Sequence, residues 1–415
     1  MTSADPFSLP LEWIPEENRL LVDAIRTWAN EDVIPVRRQI DEDWDRHELC
    51  RPLLEKLCVA HGYQWAAWPS AYGGGGMNAI ASAMCLEEMS RADSGLATAA
   101  SCSVWAVSPI AGPFENRKLM ERFAPLFLQT DRWYVGSAAI SDGRSGSDVE
   151  NIDGTQGRHI ATTAKLDGDE WVINGHKLWP TNSGGAADLF SVFCTTDPAA
   201  GDEGFAIIYV PAGTPGVTQG KPYRKAGMSG DWNSDVWFDN VRVPREYRAH
   251  GPGTDALAAR ASISSGNVGT AAQCIGVMRN IYELLNDWCA TRVVGGKALK
   301  EHTITAAVLA DIVVAIETSR ADTYLKARML DRPDVYGPRH TQEMLARTRA
   351  TKLYVSDQLT SVANKALDLM GSFGYAREGD LEKHWRDSKI LSIWMGGRAL
   401  AQLDIARWFF DAHSY

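Results

Sequence analysis

The side chains that most often ligate metals or act as nucleophiles are present but scattered. The chain of 415 residues has nine histidines and seven cysteines, with no HExxH segment and no CxxC pair. It also lacks a GxSxG turn, a GxxxxGK[ST] phosphate loop and a GxGxxG fingerprint. The glycine run at 73–76 is not followed by Lys-Ser/Thr and favours a helix–helix connection. Spacing alone therefore predicts no metal site and no Rossmann or hydrolase site.

Cysteine use and charge limit the cellular setting and the partners. Seven cysteines, an odd number without paired spacing, predict reduced and mostly buried thiols in a cytoplasmic protein. The N-terminal segment MTSADPFSLPLEWIPEENR is acidic and contains proline, unlike a secretory signal peptide. No apolar run approaches the roughly 20 residues of a membrane span. A formal charge of −10 argues against a nucleic-acid partner.

Hydrophobic periodicity divides the chain into three parts. Residues 1–134 place apolar side chains at helical spacing, which predicts an N-terminal helical domain. Residues 135–248 alternate apolar and polar side chains and carry turn signals at Asp167-Gly168 and Asn174-Gly175. Residues 249–415 return to long helical patterns with apolar faces that need partners. The expected fold class is α+β, with a helical bundle shared between subunits at the C-terminal end.

A set of short motifs carries a family resemblance. The segment SAAISDGRSGSDV, followed by LDGDEWVINGHKLWPTNSGGAADLFSV, resembles the signature of the acyl-CoA dehydrogenase superfamily. Downstream, FDNVRVP, RVVGGKALKEHTI and ALDLMGSFGYAREGDLEKHWRDSKILSIWMGG resemble later motifs of that family. Five blocks occur in the family's order between residues 137 and 397.

The resemblance implies a fold, a cofactor and partners. The fold would be that of the acyl-CoA dehydrogenases, with a helical domain, a β-barrel-like middle domain and a C-terminal four-helix bundle. The cofactor would be non-covalent FAD, and the substrate an acyl-CoA thioester. The expected assembly is a homotetramer, with an electron-transfer flavoprotein as the electron acceptor.

The resemblance also assigns residues to FAD. Trp179 is expected against the isoalloxazine ring, and Thr181 at the flavin N5/O4 edge. Ser141 occupies the threonine position of the family's T-E-P motif and is expected at the pyrimidine side. Arg292 is expected to bind the FAD pyrophosphate, a task suited to a guanidinium group. The turn formed by Gly371 and Gly374 is expected to approach the FAD of a neighbouring subunit.

Substrate contacts follow from the same motifs. Ser147, in G-S-D, matches a residue near the CoA pyrophosphate arm. Arg260 lies on the helix that lines the substrate site in the family. Arg144 replaces a small residue in the loop after Ser141 and adds a positive charge near the flavin or the substrate.

One departure concerns the catalytic base. The family's usual glutamate is replaced by Met395, and a thioether cannot accept a proton. A minority of the family places the base beside the arginine of the first long C-terminal helix, and here that neighbour is Ala259. Both recognised base positions therefore lack an acid. The candidate catalytic residues are Met395 at the usual base position, Arg260 on the helix that lines the substrate site in the family, and Asp142 at the glutamate of the T-E-P motif.

Three readings of this departure stay open at the level of sequence. First, an acyl-CoA dehydrogenase uses a relocated base, with Asp93, Asp142, Asp231 and Asp255 as candidates. Second, the reaction needs no α-proton removal, as in a 3-sulfinopropionyl-CoA desulfinase or a flavin monooxygenase of this fold. Third, the chain is a non-catalytic subunit in a heteromer with a paralogue that carries the glutamate.

Overall fold

The computed structural model describes Phe7 and residues 15–143, 145–151 and 160–412. Arg144, a predicted ligand contact, lies outside the described residues, as does most of the N-terminal acidic segment. The described chain forms helices, then a sheet, then long helices, so the predicted α+β fold class is confirmed.

The N-terminal part is helical because apolar side chains recur at helical spacing and polar side chains cap the longer helices. Asn78, Asp93 and Asn116 each accept a hydrogen bond from a backbone N–H in the first turn of the helix that follows. The helices are α1 Glu16–Trp28, α2 Arg37–Glu42, α3 Cys50–Glu55, α4 Tyr63–Ala66, α5 Ala79–Ala92, α6 Ser94–Trp105, α7 Ser108–Ala111 and α8 Arg117–Phe127.

The middle part is one sheet of seven strands that curls as a half-barrel. Strand order is β1-β4-β2-β3-β7-β6, with β5 paired to β4. β4 is parallel to β1 and β2, and the other pairs are antiparallel. The strands are β1 Gly136–Ala139, β2 Thr163–Asp167, β3 Glu170–Lys177, β4 Leu189–Thr195, β5 Phe205–Pro211, β6 Val217–Gln219 and β7 Val236–Pro244.

The two predicted turns in the middle part have different outcomes. Asp167-Gly168 closes the β2–β3 hairpin, with Gly168 at φ 62°. The turn predicted at Asn174-Gly175 is wrong, because both residues lie inside β3 at a shift of register against β7. A Cβ on Gly175 would lie 2.4 Å from Thr162 Oγ1, so this glycine permits a close approach of the chain within a bulge.

The C-terminal part consists of long helices that pack on one another. α12 lies against α9, α10, α14 and α15, and α9 also packs along α5 of the N-terminal part. A short hairpin, β8 Val293–Val294 and β9 Lys297–Ala298, follows α9. The helices are α9 Thr254–Thr291, α10 Thr303–Asp331, α11 Pro333–Tyr336, α12 Gln342–Met370, α13 Ser372–Tyr375, α14 Leu381–Ile393 and α15 Gly397–Phe410.

Helix α6 joins the sheet to the C-terminal helices. Its buried alanines let neighbouring backbones approach closely. Ser103 accepts a hydrogen bond from the Gly136 N–H at 3.0 Å and donates one to the Tyr134 carbonyl at 3.2 Å. A Cβ on Gly136 would lie 2.2 Å from the Ser103 carbonyl oxygen, so β1 starts directly against α6. The position of the sheet relative to α6 is therefore fixed at this contact.

The loop between β6 and β7 is fixed to the N-terminal helices through His47. The His47 ring stacks on Trp232, with ring centroids 4.1 Å apart, and Nε2 lies 3.0 Å from the Ser229 carbonyl oxygen. Burial lowers the pKa of His47 to about 4, and the nearby Lys225 charge acts in the same direction. His47 is therefore neutral wherever this loop is in place.

Replacing His47 with asparagine is expected to reduce the acid sensitivity of the fold. Between a folded pKa of about 4 and the ordinary value of 6.5, the unfolded chain binds a proton that the folded protein does not. Stability is therefore lost as the pH falls through this window, by on the order of 3 kcal/mol. Asparagine also tolerates the φ of 53° at this position.

Thermal unfolding at about pH 7 and about pH 4.5 measures the effect. The fall in Tm on acidification should be smaller for His47→Asn than for the wild type. His302→Asn, at the residue directly before α10, is the matched control. An equal fall in Tm for wild type and His47→Asn would contradict the assignment.

Candidate active site

The turn after β3 carries two of the predicted flavin contacts, Trp179 and Thr181. Asn182, at φ 69°, reverses the chain and donates its amide to the carbonyls of Ala99 and Gly136. The Asn233 amide donates to the Trp179 carbonyl at 3.0 Å. These contacts fix the backbone while the Trp179 side chain stays 53% exposed. An exposed ring on a fixed turn suits stacking against a planar ligand.

Thr181 lies at the junction of the sheet with α6. Ser137 donates its hydroxyl to the Thr181 carbonyl at 2.6 Å. The Thr181 hydroxyl donates to Asp231 Oδ2 at 3.3 Å and also lies beside the Cys102 thiol. Burial raises the pKa of Cys102 to about 12, so it is a neutral thiol.

Helix α6 connects this turn to Met395. Cys102 faces Thr181, and Trp105, three residues later, lies on the same side of the helix. The Trp105 indole donates to the Ser262 carbonyl on α9 at 3.0 Å. A Cβ on Gly266 would lie 2.6 Å from Met395 Cε and 3.4 Å from Trp105 Nε1. Met395 and Trp105 therefore both lie close to Gly266 on α9, while Cys102, about one helical turn before Trp105, lies beside Thr181.

The turn that carries Met395 has an unusual backbone. Met395, Gly396 and Gly397 all have positive φ, at 52°, 77° and 57°. A methionine in this region is rare, because its Cβ approaches the following carbonyl oxygen. The Lys352 ammonium donates to the Trp394 carbonyl at 2.8 Å, directly before the turn. The turn thus holds Met395 in a conformation that a methionine does not favour.

A buried arginine holds this turn. Arg349, on α12, donates to the Met395 carbonyl oxygen and to Asp404 Oδ2 on α15 at 3.1 Å. It also donates to Glu150 Oε2, in the loop after β1, at 3.3 Å. Its side chain is fully buried, so each of these contacts replaces lost hydration.

Sequence reasoning did not find Arg349, Glu150 or Asp404. Their partners are distant along the chain, and none of the three lies in a motif that the sequence analysis used. Glu150 follows the G-S-D segment directly, but its ion pair with α12 has no local signal. These residues bring two acids close to the Met395 turn, and both are paired with Arg349.

The structure also brings the predicted FAD pyrophosphate contacts together. The Arg292 guanidinium lies over the Trp288 ring, 5.7 Å from its centroid. Trp288 stacks on Phe373 with centroids 4.7 Å apart, and Phe373 lies between Gly371 and Gly374. Among the described residues, no hydrogen bond, ion pair or ring contact joins this group to Trp179 or Thr181.

Glycine is required at Gly371 and at Gly374 by different structural constraints. Gly371 has φ 58° and no atom within 4 Å of an added Cβ, so its backbone conformation requires it. A Cβ on Gly374 would lie 2.7 Å from Met370 Cβ, so Gly374 serves packing within the chain. The surface of the turn is open at Gly371.

Asp142 has a different task from the catalytic one predicted for it. It is buried in an ion pair with Lys177, 2.9 Å from the ammonium nitrogen. Its carboxylate also accepts hydrogen bonds from Thr162 Oγ1 and the Ala161 N–H. Both oxygens are engaged in fixing the loop to the sheet, so the structure does not support Asp142 as a base. Ser141 lies beside it, with its carbonyl accepting from the Leu178 N–H.

Two further candidate bases are also committed to structure. Asp93 caps α6 by accepting from the Leu96 N–H at 2.9 Å and pairs with buried Lys383 at 2.7 Å. Asp255 pairs with Arg248 at 2.6 Å, and burial raises the pKa of Asp255 to about 6. Of the four candidates, Asp231 alone has a described contact with a predicted flavin-binding residue.

The predicted substrate contacts are placed in part. Arg260 donates to the His340 carbonyl at 3.2 Å and so ties α9 to the loop before α12. The backbone of Ser147 lies in a short 3-10 helix, but its side chain lies outside what the structure describes, as does Arg144.

Within the described ranges, no three His, Cys, Asp or Glu side chains cluster as metal ligands. Nor does a helix in those ranges have the length and apolar character to span a membrane.

Alanine at Gly396 is expected to lower the free energy of unfolding by at least about 2 kcal/mol, because a side chain is strained at positive φ. The new Cβ would also lie 2.6 Å from Arg349 Nη1, and that guanidinium is fixed by its two acids. Gly397→Ala is the matched control: φ is again positive, but no atom lies within 4 Å. Its expected loss is about 1 kcal/mol. Equal losses for the two variants in urea unfolding would show that Arg349 does not restrain the turn.

Comparison with known proteins covers nearly the whole chain. Family models for the N-terminal, middle and C-terminal domains of acyl-CoA dehydrogenase match residues 15–125, 137–241 and 256–410. The human mitochondrial short-chain specific acyl-CoA dehydrogenase is 27% identical over 395 residues, 95% of this chain and 90% of that protein. Cyclohex-1-ene-1-carbonyl-CoA dehydrogenase of Geobacter metallireducens is 29% identical over 404 residues, 96% of this chain and 99% of that protein.

Solved structures share the fold. Butyryl-CoA dehydrogenase from Megasphaera elsdenii superposes with a TM-score of 0.85 at 25% identity, covering 95% of this chain and 98% of that one. A nitroalkane oxidase superposes with a TM-score of 0.87 at 21% identity, covering 97% of each chain, which shows a shared fold alone. Because all three domains match in order, this protein belongs to the acyl-CoA dehydrogenase family of FAD-dependent enzymes.

Proposed function

We propose that this protein is an FAD-dependent oxidoreductase acting on an acyl-CoA thioester, in which the Met395 turn does not supply the base. The observation that carries the proposal is that α6 lies beside Thr181 through Cys102, while Trp105 of the same helix and Met395 both lie close to Gly266 on α9. It supports a site in which the proposed flavin edge and the proposed position of the usual base are near one another. The acyl-CoA dehydrogenases named above support a thioester substrate.

The residues on the turn after β3 fit a flavin. Trp179 would lie against the isoalloxazine, Thr181 at the N5/O4 edge and Ser141 at the pyrimidine side. Donors held at that edge stabilise the charge of a reduced flavin. Bound FAD would supply the hydride acceptor. The protein's own task is to hold the edge in a fixed position, and the contacts of Ser137 and Asn182 with the turn and α6 do so.

The FAD pyrophosphate would be held by Arg292 and the open turn at Gly371. Since no described contact joins these residues to Trp179 or Thr181, we propose that they serve the FAD of a neighbouring subunit. Exposed apolar side chains on the C-terminal helices support such an assembly as a homotetramer: Phe373, Tyr375, Trp408, Phe409 and Phe410. An electron-transfer flavoprotein is the proposed acceptor, with the exposed Trp179 near its point of approach.

The CoA portion would be bound by positive and polar groups near the α9 face. Arg260 lies there, held by the His340 carbonyl. Ser147 and Arg144 are proposed to contact the CoA arm or the flavin from the loop after Ser141. The acyl group would lie beside Met395, whose Cε is packed so closely against Gly266 that an added Cβ there would lie 2.6 Å from it.

A second candidate is a reaction that needs no α-proton removal, such as sulfinate loss from 3-sulfinopropionyl-CoA or flavin monooxygenation. Three candidate acids, Asp93, Asp142 and Asp255, are held in ion pairs, and this observation favours it. The two candidates differ in whether an acyl-CoA reduces the flavin.

Anaerobic mixing with acyl-CoA thioesters tests the proposed function. The FAD-reconstituted protein should lose its visible flavin absorbance with at least one saturated short-chain or cyclic acyl-CoA. A protein that remains colourless after reconstitution with FAD would exclude a flavoenzyme. If no thioester bleaches the flavin but 3-sulfinopropionyl-CoA releases sulfite, or reduced flavin plus oxygen is required, the second candidate replaces the first.

Met395→Glu is expected to raise the rate of flavin reduction by straight-chain acyl-CoA about 100-fold or more, because a positioned general base contributes on this scale. Met395→Gln, of similar size but unable to take up the proton, is the matched control and should show no gain. Single-turnover reduction measured by stopped flow gives the rate. Equal rates for the two variants would mean that the pocket is not arranged for α-proton removal at this position.

A further inference from the structure

Asp231 is a buried carboxylate at the predicted flavin edge. It is 4% exposed, and its Oδ2 accepts the hydrogen bond from the Thr181 hydroxyl. No donor among the described residues reaches Oδ1 in hydrogen-bond geometry, although this oxygen is fully buried. A buried carboxylate oxygen without a donor costs folding free energy.

Lys225 only partly offsets the Asp231 charge. Its ammonium lies 3.6 Å from Oδ2, but its hydrogen bonds go to the Asp231 carbonyl at 2.7 Å and to Asn233 Oδ1. Lys225 therefore holds the loop backbone and acts on the carboxylate through its charge. Burial raises the pKa of Asp231 and lowers the pKa of Lys225.

The other groups that face Asp231 carry little charge. Cys102, from α6, is a neutral thiol at physiological pH, and the backbone N–H of Asn182 is a fixed dipole near the carboxylate. The charges of Asp93 and Asp387 also raise the pKa of Lys225, and both carboxylates form ion pairs with Lys383. The protonation of Asp231 therefore depends mainly on burial, Lys225, the Asn182 N–H and the Thr181 hydroxyl.

We propose that Asp231 is a positioning residue that sets the direction of the Thr181 hydroxyl toward the flavin. As a carboxylate, Asp231 accepts a hydrogen bond from the Thr181 hydroxyl. That hydroxyl then presents only its oxygen lone pairs to the flavin N5/O4 edge. When Asp231 takes up a proton, it donates to Thr181 Oγ1 and releases the Thr181 proton to point at that edge. No bond to the flavin is made or broken. This inference rests on the proposed function, because it places the flavin against Thr181.

The consequence is a flavin whose surroundings change with pH in one step. A hydrogen-bond donor and a lone pair at the same edge favour different charge states of a flavin, so its absorption reports the switch. The raised pKa of Asp231 places the step above the ordinary aspartate value of about 3.9. The buried Asp231 carboxylate is then explained by its effect on Thr181. Its unfavourable contribution to the free energy of folding is typical of a group that serves a functional site.

A pH titration of the bound oxidised flavin tests the proposal without turnover. Visible spectra recorded from about pH 4, the ordinary aspartate value, to about pH 9 should show a one-proton step in the wild type. The step should be lost in Asp231→Asn, which cannot ionise, and also in Thr181→Val, which lacks the hydroxyl. Asp239→Asn, on the exposed part of β7, is the matched control and should keep the step. Asp231→Ser is a second variant in case the amide disturbs folding, which circular dichroism detects.

Three outcomes would overturn the proposal. A wild-type protein with bound FAD but no step shows that Asp231 does not affect the flavin. A step that persists in Thr181→Val shows that Asp231 acts directly and not through Thr181. A step that persists in Asp231→Asn or Asp231→Ser assigns it to another group. Failure of the proposed function itself is seen separately, because the protein would then be colourless before any titration.

Discussion

The buried guanidinium of Arg349 is the interaction on which the site geometry depends. It joins three parts of the chain: Glu150 in the sheet region, Asp404 on α15 and the Met395 carbonyl in the turn before α15. A cation without hydration is stable only when its donors are fully used. Moving any one of these partners leaves charge unpaired in the interior. The Met395 turn is therefore held in its left-handed conformation by a network that links the sheet to the C-terminal helices.

This constraint separates two parts of the proposed site: the residues that would hold the flavin and the turn that carries Met395. The cofactor half, around Trp179 and Thr181, depends on α6 and the start of β1 and does not involve Arg349. The catalytic half depends on the Met395 turn, whose thioether packs against Gly266 beside Trp105. Nearby acids are present, but Arg349 binds them. With Met395 at the proposed base position, the chain would keep the elements that hold a flavin while the base position carries an inert side chain.

The fold could be predicted from sequence, and residues for the cofactor could be proposed from it, because both rest on local patterns. The order of helices and strands follows hydrophobic periodicity, and the Trp179–Thr181 turn lies inside a continuous motif. The failures involve long-range contacts. Asn174-Gly175 has the residues of a turn, but the approach of Thr162 makes it a bulge. The sequence motif makes Asp142 a candidate site residue, but it does not reveal the buried ion pair of Asp142 with Lys177. Arg349 and Asp231 gain their roles from partners in other elements, which spacing along the chain does not reveal.

A crystal structure of the protein with FAD and a non-reactive acyl-CoA analogue tests the central claim most directly. The measured quantity is the distance from the substrate α-carbon to the nearest carboxylate oxygen, together with the contacts of Arg349. We expect the Met395 side chain to face the substrate α-carbon. We also expect Arg349 to remain bound to Glu150, Asp404 and the Met395 carbonyl. A carboxylate of Glu150 or Asp404, released from Arg349 and within about 3 Å of the α-carbon, would contradict it.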